Sequence, residues 1–312
     1  MSRPNHRVNH AKRQARMTTQ SKPKTTAGKQ QGMTVQWYPG HMAKGTRKLH
    51  ELAGKLDVIV EVRDSRAPAS TSSPLIKALA KIKPVVHVLS RKDLADPQKL
   101  SLWLEKLRHT FAADLRKREG LSVVRKALLK FKPPHREVRL AVVGIPNVGK
   151  SLLLNSLIGK ATAGVGNIPG ITKSVNWYRN DGMLIVDSPG ILDPHAEAGA
   201  HLILSWLGCA KAEVVGGWEN AALSLLRFLD ARGMNELVPV EHIDELPALT
   251  LERIGRKYGC LVSGGRVNME LAGQKFIEAF SSGRLGAVCL ELPDEERAID
   301  FKDETADTLS TD

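Results

Sequence analysis

The sequence predicts an α/β chain: a mostly parallel sheet with helices on both faces, followed by a small all-α region. Three observations predict it. Residues Gly144-Ile145-Pro146-Asn147-Val148-Gly149-Lys150-Ser151 form a glycine loop between the apolar run Val138–Val143 and the helical run Leu152–Leu157, which is the strand–loop–helix setting of a phosphate loop. Further short runs of buried-strand character occur at Asp57–Val62, Val85–Leu89 and Met183–Val186, separated by segments long enough for the crossover helices of a parallel sheet. After Asp193-Pro194 the strand signals fade and amphipathic helical patterns follow, notably Ala221–Ala231 and Gln274–Phe280.

In chain order, Thr46–Gly54 reads as helical, Asp57–Val62 as a strand, Ser73–Ile82 as a helix and Val85–Leu89 as a strand. Residues 98–136 read as basic and helical, returning through Pro133-Pro134 to the strand before the glycine loop. The expected organisation is a disordered basic tail over 1–33, a nucleotide domain over 34–195, a helical RNA-binding domain over 196–293 and an acidic tail over 294–312. There are no internal repeats.

The glycine loop carries its chemistry in its residue types. Gly144 and Gly149 let the backbone curl so that successive N–H groups face phosphate oxygens, and the helix N-terminus adds positive potential. Lys150 is placed to reach the β- and γ-phosphates, and the Ser151 hydroxyl to ligate Mg²⁺. Asn147, Val148, Gly149, Lys150, Ser151 and Leu152 are the expected phosphate contacts. Downstream, Asp187-Ser188-Pro189-Gly190 follows a strand, the pattern of an Asp that serves Mg²⁺ and a Gly190 amide that meets the γ-phosphate. Thr172, in Pro169-Gly170-Ile171-Thr172, stands where a switch threonine completes the metal shell.

A base-reading motif of the form Asn/Thr-Lys-x-Asp should follow, and nothing after residue 190 fits. The best match lies upstream: Ser90-Arg91-Lys92-Asp93, immediately after the strand run Val85–Leu89. A carboxylate there suits guanine, whose N1–H and exocyclic amine both donate, and repels the ring acceptor of adenine. The order is therefore base, phosphate, switch, metal: a circularly permuted P-loop GTPase domain. Permutation is physically reasonable because domain termini lie at the surface and often close together. The second base loop is assigned to Asp114 and Leu115, a poor match to the usual Ser-Ala.

With these motifs in place the chain resembles the YlqF/RbgA ribosome-biogenesis GTPases. The resemblance runs from about Val35 to Pro293. It rests on Val35-Gln36-Trp37-Tyr38-Pro39-Gly40-His41-Met42-Ala43-Lys44, on Val62-Arg63-Asp64-Ser65-Arg66-Ala67-Pro68, on the permuted motif order, and on Gly259-Cys260-Leu261-Val262-Ser263-Gly264-Gly265. It implies GTP hydrolysis coupled to late assembly of the large ribosomal subunit. It also implies a hydrolytic role for His41; a lone His is otherwise more often a structural group. Asn147 sits in a loop that resembles those of potassium-stimulated GTPases, where its side-chain carbonyl ligates K⁺, although Asn also favours turns for backbone reasons.

Two departures matter. Ser90 and Arg91 replace the Asn and Lys of the base motif; Arg has a comparable stem and a guanidinium that stacks on planes, so the site is expected to be weakened more than abolished. Ile191 occupies the position after Gly190 where Ras-like enzymes carry a water-orienting Gln, which matches the hydrophobic replacement in the resembled family.

Composition agrees with a globular, RNA-associated protein. The 312 residues are 42% hydrophobic and carry a formal net charge of +13, and no apolar run is long enough to span a membrane. Three dispersed cysteines, Cys209, Cys260 and Cys289, have neither zinc spacing nor a disulfide pattern, which points to a reducing cytoplasm, as does the lack of an apolar signal segment. The first fifty residues carry eleven Lys/Arg and no acid; the tail is either a solubilising appendage or an RNA-phosphate arm. The acidic end from Asp294 to Asp312 reads as solvated. Gly259–Gly265 is either a tight interhelical turn or a close RNA contact. The expected partners are GTP and GDP, the large ribosomal subunit and its RNA, with no membrane; the expected state is a monomer. Three rival readings remain: a GTP-gated RNA-binding scaffold with little hydrolysis, an ATP-dependent RNA-binding enzyme, disfavoured by Asp93, and an RNA-binding protein with a vestigial loop, disfavoured by intact Lys150, Ser151, Thr172 and Asp187.

Overall fold

A computed structural model of the chain describes residues 47, 49–159, 164, 165, 177–187 and 198–293. The expectations placed on residues 1–46, Thr172, Gly190, Ile191 and 294–312 lie outside the described residues.

Among the described residues seven strands form one sheet in the order β3–β2–β1–β4–β7–β6–β5. The strands are β1 (Val58–Asp64), β2 (Val85–Ser90), β3 (Thr110–Ala113), β4 (Val138–Val143), β5 (Gly164–Val165), β6 (Trp177–Asn180) and β7 (Met183–Asp187). Pairing is parallel from β3 through to β7 and antiparallel across β7, β6 and β5. The central strands are near-continuous runs of Val, Ile and Leu because both faces are covered. On one face Val58, Val60, Val62, Val86, Val88, Leu140, Val142 and Ile185 pack with helices α3 (Leu121–Leu129) and α4 (Lys150–Ile158). On the other, Ile59, Ala141, Val143, Leu184 and Val186 pack with the helical residues 49–53 and with α1 (Ile76–Leu79). The two-residue alternation of the strands produces this division.

The predicted helix over Ser73–Ile82 is shortened to α1. The carboxylate of Glu61, itself fully buried, accepts from the Ser72 hydroxyl at 3.0 Å and the Ser73 amide at 2.7 Å. Those bonds hold the start of the segment as a loop over β1. The stretch 98–136 is not helical throughout: α2 (Pro97–Lys106) and α3 flank the edge strand β3, which pairs residue for residue with His87–Ser90. Helix α2 begins where Asp96 caps the Gln98 and Lys99 amides with Pro97 at the first helical position, as capping chemistry favours.

The C-terminal helices are α5 (Ala198–Trp206), α6 (Trp218–Ala231), α7 (Pro247–Lys257) and α8 (Met269–Ser281). Their apolar residues, including Trp206, Leu225, Leu229, Ile254, Phe276 and Ile277, join the same buried cluster as one face of the sheet. Helices α6 and α8 approach closely at Gly273, where an added Cβ would lie 2.6 Å from the Trp218 carbonyl carbon. Glu270 of α8 accepts from the Trp218 and Glu219 amides at 2.7 and 2.9 Å, capping α6 from a neighbouring helix. Gly259–Gly265 connects α7 to α8, with positive φ at Gly259, Gly264 and Gly265. Among the described residues no helix is long and apolar enough to cross a membrane.

Candidate nucleotide site

The parallel register brings the ends of the central strands to one edge. Asp64 lies opposite Ser90, Ser90 opposite Ala113, and Val142 opposite Asp187. The segments that leave these ends are the base motif after β2, the Asp114–Leu115 loop after β3 and the glycine loop after β4. Ligands of open α/β sheets bind at this carboxyl edge. A cavity of about 500 Å³ occupies the edge, lined by Ser90, Arg91, Asp93, Asp114, Leu115, Asn147, Gly149, Lys150, Ser151 and Leu152. That volume is in the usual range of roughly 300–1,000 Å³ for small-molecule sites.

The glycine loop is shaped by close approach. Gly144 has φ 154°, and a Cβ there would lie 2.6 Å from the Val62 carbonyl oxygen, so no side chain fits between β1 and the loop. Asn147 and Gly149 both have positive φ. Helix α4 starts at Lys150 after Gly149 with no side-chain cap, which leaves its first N–H groups facing the cavity for an anion. Lys150 is 92% buried, and its ammonium donates to the Ile145 carbonyl at 2.7 Å. Val148 is buried, and its carbonyl accepts from the Ser90 hydroxyl at 2.5 Å.

The base loop differs in detail from what its residue types suggest. Ser90 ties its strand to the glycine loop through that bond, so its single hydroxyl proton is used on the backbone. Arg91, expected to lay its stem along a base, has its guanidinium held: Nη1 donates to Asp64 Oδ2 at 2.9 Å and Nη2 to the Asn147 carbonyl at 2.7 Å. Lys92 does not line the cavity, because its ammonium pairs with Glu119 at 2.9 Å. Asp93 lines the cavity with an exposed carboxylate and accepts no hydrogen bond among the described residues. Asp114 is buried, and its Oδ1 is taken by the turn, accepting from the Arg116 and Lys117 amides at 2.9 and 3.1 Å. Leu115 contributes an apolar wall beside Gly149.

Four lining residues come from parts of the chain without a recognisable motif: Leu207 and Gly208 after α5, and Ser281 and Ser282 at the end of α8. The Gly208 carbonyl accepts from the Asn147 side-chain amide at 2.9 Å. Their only sequence cue is the glycine at 208 directly after a helical run.

For a divalent cation the test is the donor set. Ser151 is exposed at the start of α4, and Asp187 ends β7 beside β4, the strand that delivers the glycine loop. A hydroxyl and a carboxylate are residue types that suit a hard cation, which keeps water and phosphate oxygens as its other ligands. No cluster of three or more His, Cys, Asp or Glu side chains arranged for a metal occurs among the described residues.

Residues 139–230 match the family model described as 50S ribosome-binding GTPase. The chain is 31% identical over 283 residues to ribosome biogenesis GTPase A of Bacillus cereus, covering 84% of this chain and 95% of that protein. It is 33% identical over 296 residues to mitochondrial ribosome-associated GTPase 1 of Mus musculus, covering 82% and 90% respectively. Among solved structures it is similar to GNP-bound YlqF from T. maritima, with TM-score 0.62 and 26% identity over 81% of this chain and all of that one. The GDP-bound YlqF structure gives TM-score 0.61 over 80% of this chain.

Proposed function

Since the chain belongs to the ribosome biogenesis GTPase A family, we propose that it is a GTP-hydrolysing assembly factor of the large ribosomal subunit. It binds the subunit and its RNA with GTP bound and leaves on hydrolysis. Family membership carries GTP hydrolysis and a place in ribosomal subunit assembly. The observation that supports the site assignment is the single cavity in which Asp93, Lys150 and Ser151 meet at the carboxyl edge of the sheet.

In this reading Asp93 accepts from the two guanine donors, while the amides at the start of α4 hold the phosphates. Lys150 exchanges the Ile145 carbonyl for β- and γ-phosphate oxygens, a short move for a terminal ammonium, and the Gly190 amide completes the γ-phosphate cradle. Mg²⁺, held by Ser151, Thr172 and Asp187, supplies charge neutralisation between the phosphates when bound. The Asn147 side-chain carbonyl is the candidate K⁺ ligand, its amide end being already bonded to Gly208. Ile191 cannot orient water, so hydrolysis draws on His41, which either orients the attacking water or stabilises charge on the γ-phosphate. The three described cysteines are all free and buried, which suits a reducing, cytoplasmic setting.

The basic tail is assigned to RNA phosphates. Residues 1–33 carry eight Lys/Arg and no acid. Deleting them should weaken subunit binding and leave GTP affinity unchanged, because every cavity residue lies well downstream. If half of the cations meet phosphates, the log–log salt slope falls by about 3 to 4 units. Association should also slow, since the arm steers encounter. The measurement is subunit binding of full-length and truncated chains across a salt series. Parallel slopes would make the tail an appendage and move the RNA contacts elsewhere.

A further inference from the structure

Beside the cavity lies a buried carboxylate that neither phosphate nor base recognition explains. Asp64 ends β1 and is fully buried. Its Oδ1 accepts from the Arg66 amide and Nε, both at 3.0 Å, and its Oδ2 accepts from Arg66 Nη2 and Arg91 Nη1, both at 2.9 Å. Two guanidiniums thus share one carboxylate. Burial alone would push its pKa up, but the Arg66 and Arg91 charges outweigh that and hold it below the ordinary Asp value.

The two arginines lead in different directions. Arg91 belongs to the base loop and donates onward to the Asn147 carbonyl of the phosphate loop. Arg66 leads to the C-terminal end of the chain: its Nη1 donates to the Ser281 carbonyl at 2.9 Å, and its own carbonyl accepts from the Leu290 amide at 2.7 Å. The contacts continue from there. The Val288 amide donates to the Leu94 carbonyl at 3.0 Å, one residue beyond Asp93. Gly283 lies against the same leucine, where an added Cβ would be 3.3 Å from Leu94 Cγ. The Glu291 carboxylate accepts from the Ala69 and Ser70 amides, and its carbonyl accepts from Trp103 Nε1 at 3.0 Å. Residues 281–291 therefore form a strap across the base loop and the loop after β1.

We propose that Asp64 is a positioning residue: through Arg91 it sets the base loop against the phosphate loop, and through Arg66 it joins their state to the strap over 281–291. The proposal rests on reading the cavity as a guanine-nucleotide site. The physical basis is that Arg66 and Arg91 bond the same buried carboxylate oxygen, Oδ2, so weakening either bond leaves more of the charge to the other and strengthens it, as in other buried polar networks. A nucleotide that fixes Asn147 and Asp93 fixes Arg91 and Leu94, and with them the hydrogen bonds of the Val288 and Leu290 amides.

The test is hydrogen exchange of those two amides in the full chain, with and without saturating GDP, for the wild type and Arg91→Met. This variant removes the base-loop arm and keeps the Arg66–Asp64 pair. In the wild type GDP should slow exchange of Val288 and Leu290 by roughly tenfold, against less than about twofold in the GDP-saturated variant. A merely structural Asp64 would leave the GDP effect equal in both; that result, or no effect in a GDP-bound wild type, overturns the proposal. If the wild type bound no GDP, the reading of the cavity itself would fall first. A second variant acts on the carboxylate itself. Asp64→Asn keeps the side-chain shape and removes the charge that both arginines share, and should cut the GDP effect on the two amides to less than about twofold in the GDP-saturated protein; an undiminished effect overturns the link.

Discussion

Replacing His41 with alanine is expected to reduce subunit-stimulated GTP turnover by a factor of ~10²–10⁴ with little change in GTP affinity. Ile191 is the reason. An aliphatic side chain has no group with which to hold the attacking water, so the orienting group must come from another segment. Phosphoryl transfer makes few covalent demands on the protein and depends on positioning and charge. An imidazole can meet both needs, as a hydrogen-bond partner of water or, protonated, as a charge beside the γ-phosphate. His41 also follows the basic tail in sequence, close to the cations assigned to RNA. Single-turnover hydrolysis at saturating subunit, with GTP affinity measured in parallel, separates the two quantities. Equal turnover in both proteins would leave Pro39-Gly40-His41-Met42 as a structural turn.

Asp93→Asn is expected to move preference from GTP toward XTP, at a cost to GTP binding of about 2–3 kcal/mol. The carboxylate at the cavity mouth has no hydrogen-bond partner among the described residues that would compete for it, so it is available to guanine's N1–H and amine. The amide of Asn can instead donate to the extra carbonyl of xanthine. The neighbouring residues sharpen the expectation. Ser90 and Arg91 are committed to the Val148 and Asn147 carbonyls and to Asp64, and Lys92 is committed to Glu119. Base selectivity therefore falls on one residue of the four. Competition binding with GTP, XTP and ATP reads it, and an unchanged GTP/XTP ratio would remove Ser90–Asp93 from the site.

The parts of this fold that were legible in the sequence are those written contiguously. The glycine loop, the strands of Val, Ile and Leu that flank it, and the base motif each occupy a few adjacent residues, and their order alone revealed the permutation. The parts that were not legible depend on distant partners. Strand β3 is four residues, too short for a period to appear, and exists because Thr110–Ala113 find the free edge of β2. The predicted helix from Ser73 loses its first turn to the Glu61 carboxylate, twelve residues upstream. By its type alone Arg91 reads as a base-stacking residue; the carboxylate that captures it, Asp64, is twenty-seven residues away. Leu207, Gly208, Ser281 and Ser282 complete the cavity wall from helices whose packing no local motif encodes.

Turnover of the 312-residue chain with and without the large ribosomal subunit reads the proposed activity and its partner together. Ile191 cannot position water and the proposed orienting group is His41, so hydrolysis should be slow alone and rise by about 10-fold or more when the subunit is added. The rise should be absent with the small subunit. A rate that is the same with and without the large subunit would rule out subunit-coupled hydrolysis.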